Sequence, residues 1–280
     1  MSRTAHENIE QLHINSFYSL FMSHFSKDYS FAGHIHSMME FQYVVKGSIC
    51  ASVDENVYHL SAGEILFVQP LSPHEHHVTS KDGAVLLVSL FSMEGDLCSY
   101  FYNKVFKLSD AQQKIIQSLI EYLQEKCKSP VKEEEGRFSQ DFLVSYPAQS
   151  YIQMITTYVY QLFFSLAEEG CLRYTSMVPD AQIFSKAVSY LNECVCLSPS
   201  IDEVALYCNT SRSTLIRIFD KYSGMSIHKY LLMLKMKAAT ELLESGETVT
   251  NTAEKLGFSS QAYFSACYKR EMGISPSEIK

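Results

Sequence analysis

Four residues in the first part of the chain have side chains that bind metal ions or polar ligands. His34, His36 and Glu40 occur in the string HIHSMME, and His74 occurs later in FVQPLSPHEHH. Alternation along a strand predicts that the first three lie on one face, because successive side chains point to opposite faces. Two histidines and a carboxylate with open positions are the ligands that hold oxygen-activating iron. The pattern therefore indicates either a metal site or a set of polar anchors for a small molecule.

The last hundred residues suggest a second kind of chemistry, because a cationic helical segment occurs twice. The string IFDKYSGMS begins at Ile218 and is echoed by CYKREMGIS, which begins at Cys267. In the full repeat, a short helix with a small residue, Ala205 or Ala253, precedes a tight turn and a longer helix. A small residue allows the second helix to cross closely, as a helix-turn-helix requires. A generic helical bundle explains one such pattern, whereas two in register favour two DNA-reading units.

Composition and charge limit the class of protein. The 280 residues are 46% hydrophobic and 19% charged, which is typical of a globular chain with room for two domains. The net charge of -8 argues against non-specific nucleic-acid binding by the whole molecule. The eight cysteines form no CxxC pair and are expected to be reduced, small buried hydrophobes.

Targeting signals are not apparent in the sequence. The opening MSRTAHENIE is too polar for a signal peptide, and no run approaches the ~20 apolar residues of a transmembrane helix. We therefore expect a cytoplasmic protein with no membrane partner.

The N-terminal section is expected to be β-structure. Five strings are rich in β-branched and aromatic residues: MEFQYVVKG, ICASVD, VYHL, EILFVQP and AVLLVSLF. Turn residues such as Lys46-Gly47 separate them. Short strands with polar turns predict a small β-barrel or sandwich. The segment HEHH at residues 74–77 is expected to be a loop at its rim.

The middle section switches to helical periodicity. Ser109 and Gln112 match a capping box at the start of one helix. A second helix after Pro147 carries a narrow apolar seam with alternating spacings of three and four, formed by Ile152, Ile155, Val159, Leu162 and Leu166. This seam is compatible with packing on the chain's own barrel and with pairing to a second subunit.

Capping residues divide the last section into helices. The candidate N-caps are Asp180, Ser200, Thr210 or Ser211, Ser226, Thr248 or Thr250, and Ser259 or Ser260. Glycines end several of these helices, at positions 224, 246, 257 and 273. A long helix over Ile227–Ser245 joins the two copies of the repeat.

Residues 181–280 closely resemble the DNA-binding domain of AraC/XylS-family transcription regulators. The most specific signature is GFSSQAYFSACYKREMGISP, which begins at Gly257 and fills the family pattern G-F-x-x-x-x-Y-F-x-x-x-[FY]-[KR]-x-x-x-G-x-[ST]-P. The resemblance implies two recognition helices in successive major grooves, about 34 Å apart on one face of the duplex. One chain would then read a long asymmetric site.

The resemblance also implies which side chains face DNA. In the first recognition helix they are Arg212, Ser213, Ile216, Arg217 and Lys221, and in the second they are Ser260, Gln261, Ser265, Lys269 and Arg270. Arg217 is the best candidate for reading a base, because arginine can bond guanine O6 and N7 together. The family often has arginine where this chain has Ala266, so the second helix is expected mainly to grip phosphates.

The string HIHSMMEFQYVVKG, from His34 to Gly47, resembles the first motif of the cupin family. In cupins its two histidines and glutamate bind a metal together with a later histidine, here His74. The preceding PLS lacks the glycine of the cupin P-x-G pattern. AraC-family sensor domains resemble cupins and often keep such strings while binding no metal.

Three interpretations of this barrel stay open. In the first it is an effector pocket with the anchors His34, His36, Glu40, Gln42, Tyr43, His74 and His76. In the second it is purely structural. In the third a metal is held by His34, His36, Glu40 and His74, and the chain is a cupin enzyme, a dioxygenase or isomerase, with a DNA-binding tail. We favour the first, and so expect no enzymatic activity, no catalytic residues and no cofactor.

The predicted fold is multidomain α and β. A cupin-like, effector-sensing β-barrel is expected over residues 1–100, helices for dimerisation and linkage over 101–176, and an all-α AraC-type DNA-binding domain over 177–280. Its helix-turn-helix motifs are expected at about 201–222 and 249–270. The predicted function is sequence-specific transcription regulation controlled by a small molecule such as a sugar or another metabolite. Double-stranded operator DNA, a second copy of the chain and RNA polymerase are the expected partners.

Overall fold

The computed structural model describes residues 10–27, 29–127, 131–134, 137–143, 149–172 and 179–279. The β-strands within these ranges are β1 His13–Phe25, β2 Ser30–His34, β3 Met39–Lys46, β4 Ser48–Val53, β5 Asn56–Ser61, β6 Glu64–Val68, β7 His74–Val78, β8 Ala84–Glu94, β9 Val105–Lys107, β10 Lys132–Glu134, β11 Arg137–Asp141 and β12 Cys171–Leu172. The α-helices are α1 Cys98–Phe101, α2 Asp110–Lys126, α3 Gln149–Glu169, α4 Pro179–Glu193, α5 Ile201–Tyr207, α6 Arg212–Ser223, α7 Ile227–Glu244, α8 Val249–Lys255 and α9 Gln261–Met272.

The described strands form two sheets. The larger has the order β10-β11-β1-β8-β3-β6-β9-β12, and the smaller has the order β2-β7-β4-β5. Apolar side chains from both sheets, among them Val44, Leu86, Ile49 and Val78, share one core, so the sheets pack face to face. The predicted class, a β-rich cupin-like region followed by an all-α domain, is confirmed.

Strands β1 and β7 are among the strands that the sequence did not predict. The 13-residue β1, HINSFYSLFMSHF, mixes polar and apolar residues without a clear period, and it forms because β8 and β11 pair with it on either side. The prediction of a rim loop at residues 74–77 is wrong. This segment is β7, which pairs with β2 and β4, and long-range pairing outweighs its polar composition.

The apolar seam of α3 packs within the chain. Ile155, Val159, Leu162 and Leu166 are buried in a core shared with α2 and the larger sheet. Packing on the chain's own sheet, the first of the two interpretations, therefore describes these four side chains, because their own domain covers them. The predicted capping box of α2 is present, with Ser109 and Gln112 in both roles.

The C-terminal helices begin and end close to the predicted residues. Ser200, Ser211, Ser226, Thr248 and Ser260 each accept a hydrogen bond from a backbone N–H in the first turn that follows. Gly224 and Gly273 adopt left-handed conformations after α6 and α9, which frees them of the penalty that other residues would incur there.

Most of the described cysteines match their expected role. Five are buried free thiols, whereas Cys194 is half-buried and Cys196 is exposed, because both lie in the turn that follows α4. None of the helices within the described ranges combines the length and the apolar character needed to cross a bilayer.

Helix α7 joins two small cores in the C-terminal domain. Tyr230 and Leu234 pack with α4, α5 and α6, whereas Met236 and Leu243 pack with α8 and α9. The buried Lys235 Nζ lies between the two units, donating to Ser198 Oγ at 2.7 Å and to the carbonyl oxygen of Leu256 at 2.6 Å. The two repeats are therefore fixed to each other through one helix and one amine.

Gly257 allows the second unit to approach the first. Its φ is +69°, and a Cβ built on it would lie 2.7 Å from the carbonyl oxygen of Cys196. Gly273 has a similar φ of +79° but no atom within 4 Å of its Cβ position. A side chain at Gly273 would therefore cause backbone strain alone, whereas one at Gly257 would cause backbone strain and a steric conflict between the two units.

We expect Gly257→Ala to lower the free energy of unfolding by about 2–4 kcal/mol, from left-handed strain plus overpacking. The matched control Gly273→Ala carries the strain alone and is expected to cost about 1–2 kcal/mol. Urea unfolding of the full chain, followed by far-UV circular dichroism, measures both. Equal losses in the two variants would contradict a close contact at Gly257.

Candidate DNA interface and sensor pocket

The outward face of α6 is polar and cationic. Leu215, Ile218 and Phe219 are buried against α4 and α7, so the helical period turns the remaining positions outward. Arg212, Ser213 and Arg217 are exposed, as are Lys221 and the 46% exposed Ile216. All five candidates in the first recognition helix therefore lie where a duplex could reach them.

Acidic residues of the neighbouring helices hold these cations. Arg217 Nη1 donates to Asp180 Oδ2 at 3.1 Å, and Lys221 Nζ lies 3.7 Å from the same oxygen. The hydrogen bond from Arg217, assisted by both positive charges, lowers the pKa of Asp180. Arg212 Nη1 donates to Asp202 at 2.8 Å. Each of these two arginines is therefore paired with a carboxylate in this structure.

The second recognition helix, α9, has a less charged face. Ser260 is its N-cap, and Gln261 Oε1 accepts a hydrogen bond from Thr250 Oγ1 at 2.9 Å. Lys269 and Arg270 are exposed near the end of the helix, whereas Ser265 is only half-exposed. Arg270 Nε donates to Glu271 at 2.8 Å. Tyr263 also lies on this face and is 57% exposed, although the sequence did not single it out as a contact residue.

In the cupin-like region four predicted anchors meet around one carboxylate. The ligand atoms of His34, His36, Glu40 and His74 all lie within 4.8 Å of one another. Glu40 Oε2 is 2.9 Å from His36 Nε2 and 3.2 Å from His74 Nε2. Gln42 Nε2 donates to the other oxygen, Oε1, at 2.7 Å. The carboxylate is thus bound on both sides.

The expectation that His34, His36 and Glu40 share one strand is wrong, although they do converge. His34 ends β2, His36 lies in the turn that follows, and Glu40 is on β3. Tyr43 lies apart from the cluster, because its ring packs in the core formed with α2 and α3. His76 lies on β7 and lines the same cavity as His34 and Glu40.

Backbone carbonyls fix the orientation of two imidazoles. His36 Nδ1 lies 3.0 Å from the carbonyl oxygen of Met38, and His74 Nδ1 lies 2.8 Å from that of Ser72. A carbonyl only accepts, so both Nδ1 atoms carry the proton. Both Nε2 atoms point at Glu40 Oε2. Each of these contacts is favourable if the Nε2 atom carries a proton or if a cation is bound between the nitrogen and the carboxylate.

The electrostatics of the cluster are strongly polarised. Burial works to raise the pKa of Glu40, but the charges and hydrogen bonds of His74 and His36 hold it well below its usual value. Burial works to lower the pKa of His74, yet Glu40 outweighs it and that pKa is raised. Burial lowers the pKa of His34 to about 3 and that of His76 to about 4, so both are neutral near pH 7.

A cavity of about 250 Å³ opens beside this cluster. Its lining residues are Ser19, Phe21, Phe25, His34, Glu40, His76, Val88, Leu90 and Arg137. Arg137 was not expected from the sequence, and it reaches the cavity because β11 pairs with β1. No local spacing signals such a contact, since more than a hundred residues separate the two strands.

Asp54 connects the cluster with the C-terminal domain. Its Oδ2 accepts hydrogen bonds from Ser72 Oγ at 2.6 Å and from Asn103 Nδ2 at 3.0 Å. Its backbone oxygen accepts one from Tyr230 OH at 3.0 Å, and its Oδ1 lies 3.7 Å from Lys237 Nζ. Because Ser72 also binds His74 through its carbonyl, only two residues separate Glu40 from Asp54 along this chain of contacts.

Two family models match the chain. The one described as a helix-turn-helix domain matches residues 204–280, and the one described as a cupin domain matches residues 21–91. These matches confirm the expected combination of a C-terminal helix-turn-helix domain with an N-terminal cupin domain.

Among curated proteins, the HTH-type transcriptional regulator GbdR of Pseudomonas aeruginosa is 39% identical over 77 residues, which are 27% of this chain and 21% of GbdR. This chain thus matches about a fifth of that relative. An uncharacterized HTH-type transcriptional regulator of Haemophilus influenzae is 24% identical over 86% of this chain and 85% of its own length. The HTH-type transcriptional activator RhaS of an Enterobacter species is 24% identical over 90% and 88%.

A crystal structure of ToxT from Vibrio cholerae aligns with 98% of this chain and 98% of its own. The identity is 13% and the TM-score is 0.38.

We expect Asp180→Asn to strengthen binding to a duplex of arbitrary sequence, because it releases Arg217 and Lys221 and removes a charge that repels phosphates. Exposed ion pairs contribute up to about 1 kcal/mol, so the gain should be at most about fivefold. Fluorescence anisotropy at fixed salt measures it. Asp96→Asn, which makes the same charge change in the loop after β8, is the control. Equal affinities of the two variants would contradict the role of Asp180.

Proposed function

We propose that this chain, an AraC-family regulator by its two domains, binds operator DNA through both helix-turn-helix units and regulates transcription in response to a small molecule in its cupin-like domain. The observation that carries the DNA-binding half is the outward face of α6, where Arg212, Ser213 and Arg217 stand exposed on a helix whose other face is fully packed. A helix presented in this way fits the major groove.

The two helices divide the work of recognition. Arg217 can bond guanine O6 and N7 together, and Ile216 offers apolar contact to a thymine methyl group. On α9 the exposed alanines at positions 262 and 266 offer no hydrogen bonds. Lys269 and Arg270 there neutralise phosphates, which positions the protein without reading sequence. The first unit therefore supplies most of the sequence specificity, and the second unit supplies affinity that does not depend on sequence.

The proposed division of the chain is functional: sensing by residues 1–100, linkage and dimerisation by 101–176, and DNA binding by 177–280. Strands β9 to β12, from the middle section, join the larger sheet of the sensing unit. The strands of the middle section are therefore part of the sensor's fold. The helices of the same section, α2 and α3, pack on the outside of the larger sheet.

Contact between the domains gives the effector a route to DNA. An effector can shift domain arrangement only if it binds the arrangements with unequal affinity. A ligand that displaces His74 also displaces Ser72, and through it the bonds from Asp54 to Tyr230 and Lys237. These bonds reach α7, the helix that sets the position of both reading units.

A second copy of the chain is the proposed partner of α3. With the inner seam buried, the outer face remains, where Met154 is 40% exposed and Phe164 is 38% exposed. Contact with RNA polymerase and a location in the cytoplasm follow from the proposed regulatory role alone.

The DNA-binding proposal is tested by measuring the affinity of the Arg217→Ala variant for an operator that has been mapped by chromatin immunoprecipitation. We expect specific binding to weaken by about 1–3 kcal/mol and discrimination at the contacted base to relax. Lys114→Ala, which removes an exposed charge on α2, is the control and should leave affinity unchanged. Unaltered operator binding by the Arg217 variant would overturn its role.

A metal-binding cupin remains the second candidate, and a specific observation favours it. The Nδ1 protons of His36 and His74 are bound to backbone carbonyls, which is how metal-ligating histidines are oriented. The donor set of His34, His36, Glu40 and His74 fits a transition metal. Such a metal would supply Lewis-acid or oxygen-activating chemistry, and the chain's own residues would hold and orient it.

This candidate predicts stoichiometric iron, manganese or zinc in untagged protein purified without chelators. Elemental analysis should show the metal in wild-type protein and its loss in His36→Ala. The control His59→Ala changes a histidine of β5 outside the cluster and should retain it. Metal-free wild-type protein that still binds its operator would remove this candidate and leave the regulator intact.

A further inference from the structure

We propose that the effector is a small monocarboxylate with an apolar body, and that Arg137 binds its carboxylate in the cavity beside His34 and His76. This inference rests on the proposed effector-sensing function. It narrows the effector expected from the sequence, a sugar or another metabolite, to one chemical class.

Arg137 is held in place at the start of β11. It pairs with Phe25 of β1 in the sheet register, and its Nε donates to Ser23 Oγ at 3.2 Å. The guanidinium carbon lies 5.1 Å from the ring centre of Phe21 and 5.8 Å from that of Phe25. Two aromatic faces and one hydrogen bond therefore set the guanidinium plane before any ligand arrives.

The terminal nitrogens of a guanidinium so oriented are suited to a carboxylate. They donate as a rigid, planar fork that matches the two carboxylate oxygens, which a lysine cannot imitate. No carboxylate among the described side chains forms an ion pair with Arg137. Arg137 lines the cavity with its guanidinium already oriented, so little conformational entropy is lost when it binds a carboxylate.

The carboxylate on the opposite wall already has partners. Glu40 also lines the cavity, but its Oε2 contacts His36 and His74 and its Oε1 accepts a hydrogen bond from Gln42. Arg137 is the one arginine or lysine among the described residues that line the cavity, and it favours an anion.

The remaining lining selects against a sugar. Phe21, Phe25, Val88 and Leu90 present apolar surface, whereas a sugar needs polar partners around most of its ring. The cavity has a volume of about 250 Å³. This is below the range of drug-sized sites and suits a short aliphatic or single-ring acid.

The test uses matched acids and amides on the purified full-length chain. The probes are butyrate, hexanoate and benzoate, each paired with its primary amide, together with glucose and arabinose, all at equal ionic strength. Isothermal titration calorimetry and ligand-detected saturation-transfer NMR measure binding. We expect at least one acid to bind saturably and at least about tenfold more tightly than its amide, as loss of a charge-assisted bidentate pair implies.

Variants locate the effect. Arg137→Met should abolish acid binding and Arg137→Lys should weaken it by about tenfold, because a point charge replaces the fork. Lys114→Met removes an exposed cation outside the cavity and should bind like wild type. Arg137→Lys also serves if the methionine variant fails to fold, because it keeps the charge over the two aromatic rings.

Three results would overturn the proposal: no acid binds better than its amide, a sugar binds in preference, or Arg137→Lys and Arg137→Met bind like wild type. Failure of the regulatory function itself looks different. In that case the wild-type chain would not bind its mapped operator, whatever the calorimetry of the acids.

Discussion

One aspartate carries the connection on which the arrangement of domains depends. Asp54, at the turn between β4 and β5, accepts bonds from Ser72 and Asn103 within the sensing domain and contacts Tyr230 and Lys237 on α7. Its φ of +50° is a conformation that aspartate tolerates better than most residues. The same residue therefore shapes the loop that presents His74 and anchors the helix that positions the DNA-reading units.

The two reading units are attached unequally to the sensor. The first unit packs directly on the smaller sheet, where Cys50 and Val57 join its core and Ser52 Oγ donates to the carbonyl oxygen of Tyr222. The second unit contacts the first through α7, Lys235 and Gly257. A change in the pocket reaches the first unit across the smaller sheet, and it reaches the second unit through α7, which Asp54 contacts.

Local signals in the sequence predicted the helices well, and long-range pairing set the limit. Serine and threonine caps act on the next three residues, so Ser211 or Thr248 can be recognised without knowing the fold. The strand character of HEHH depends on β2 and β4, and the entry of Arg137 into the cavity depends on β1. The seam of α3 was recognised as apolar, but spacing could not say what covers it. In the cluster, the spacing identified the residues that meet at Glu40, whereas only the structure shows the carbonyls that orient them.

The core shared at Cys50 and Val57 limits how the two domains can be separated or exchanged. The hydrophobic core of the first reading unit is completed by side chains of the sensor, so the border between the domains runs through packed atoms. Separating the DNA-binding half from the sensor would expose apolar side chains on α4 and α6. Grafting it onto a foreign sensor would succeed only if the recipient offered a sheet with small and branched side chains at the same two places. The chain is assembled from parts, but these parts are not interchangeable.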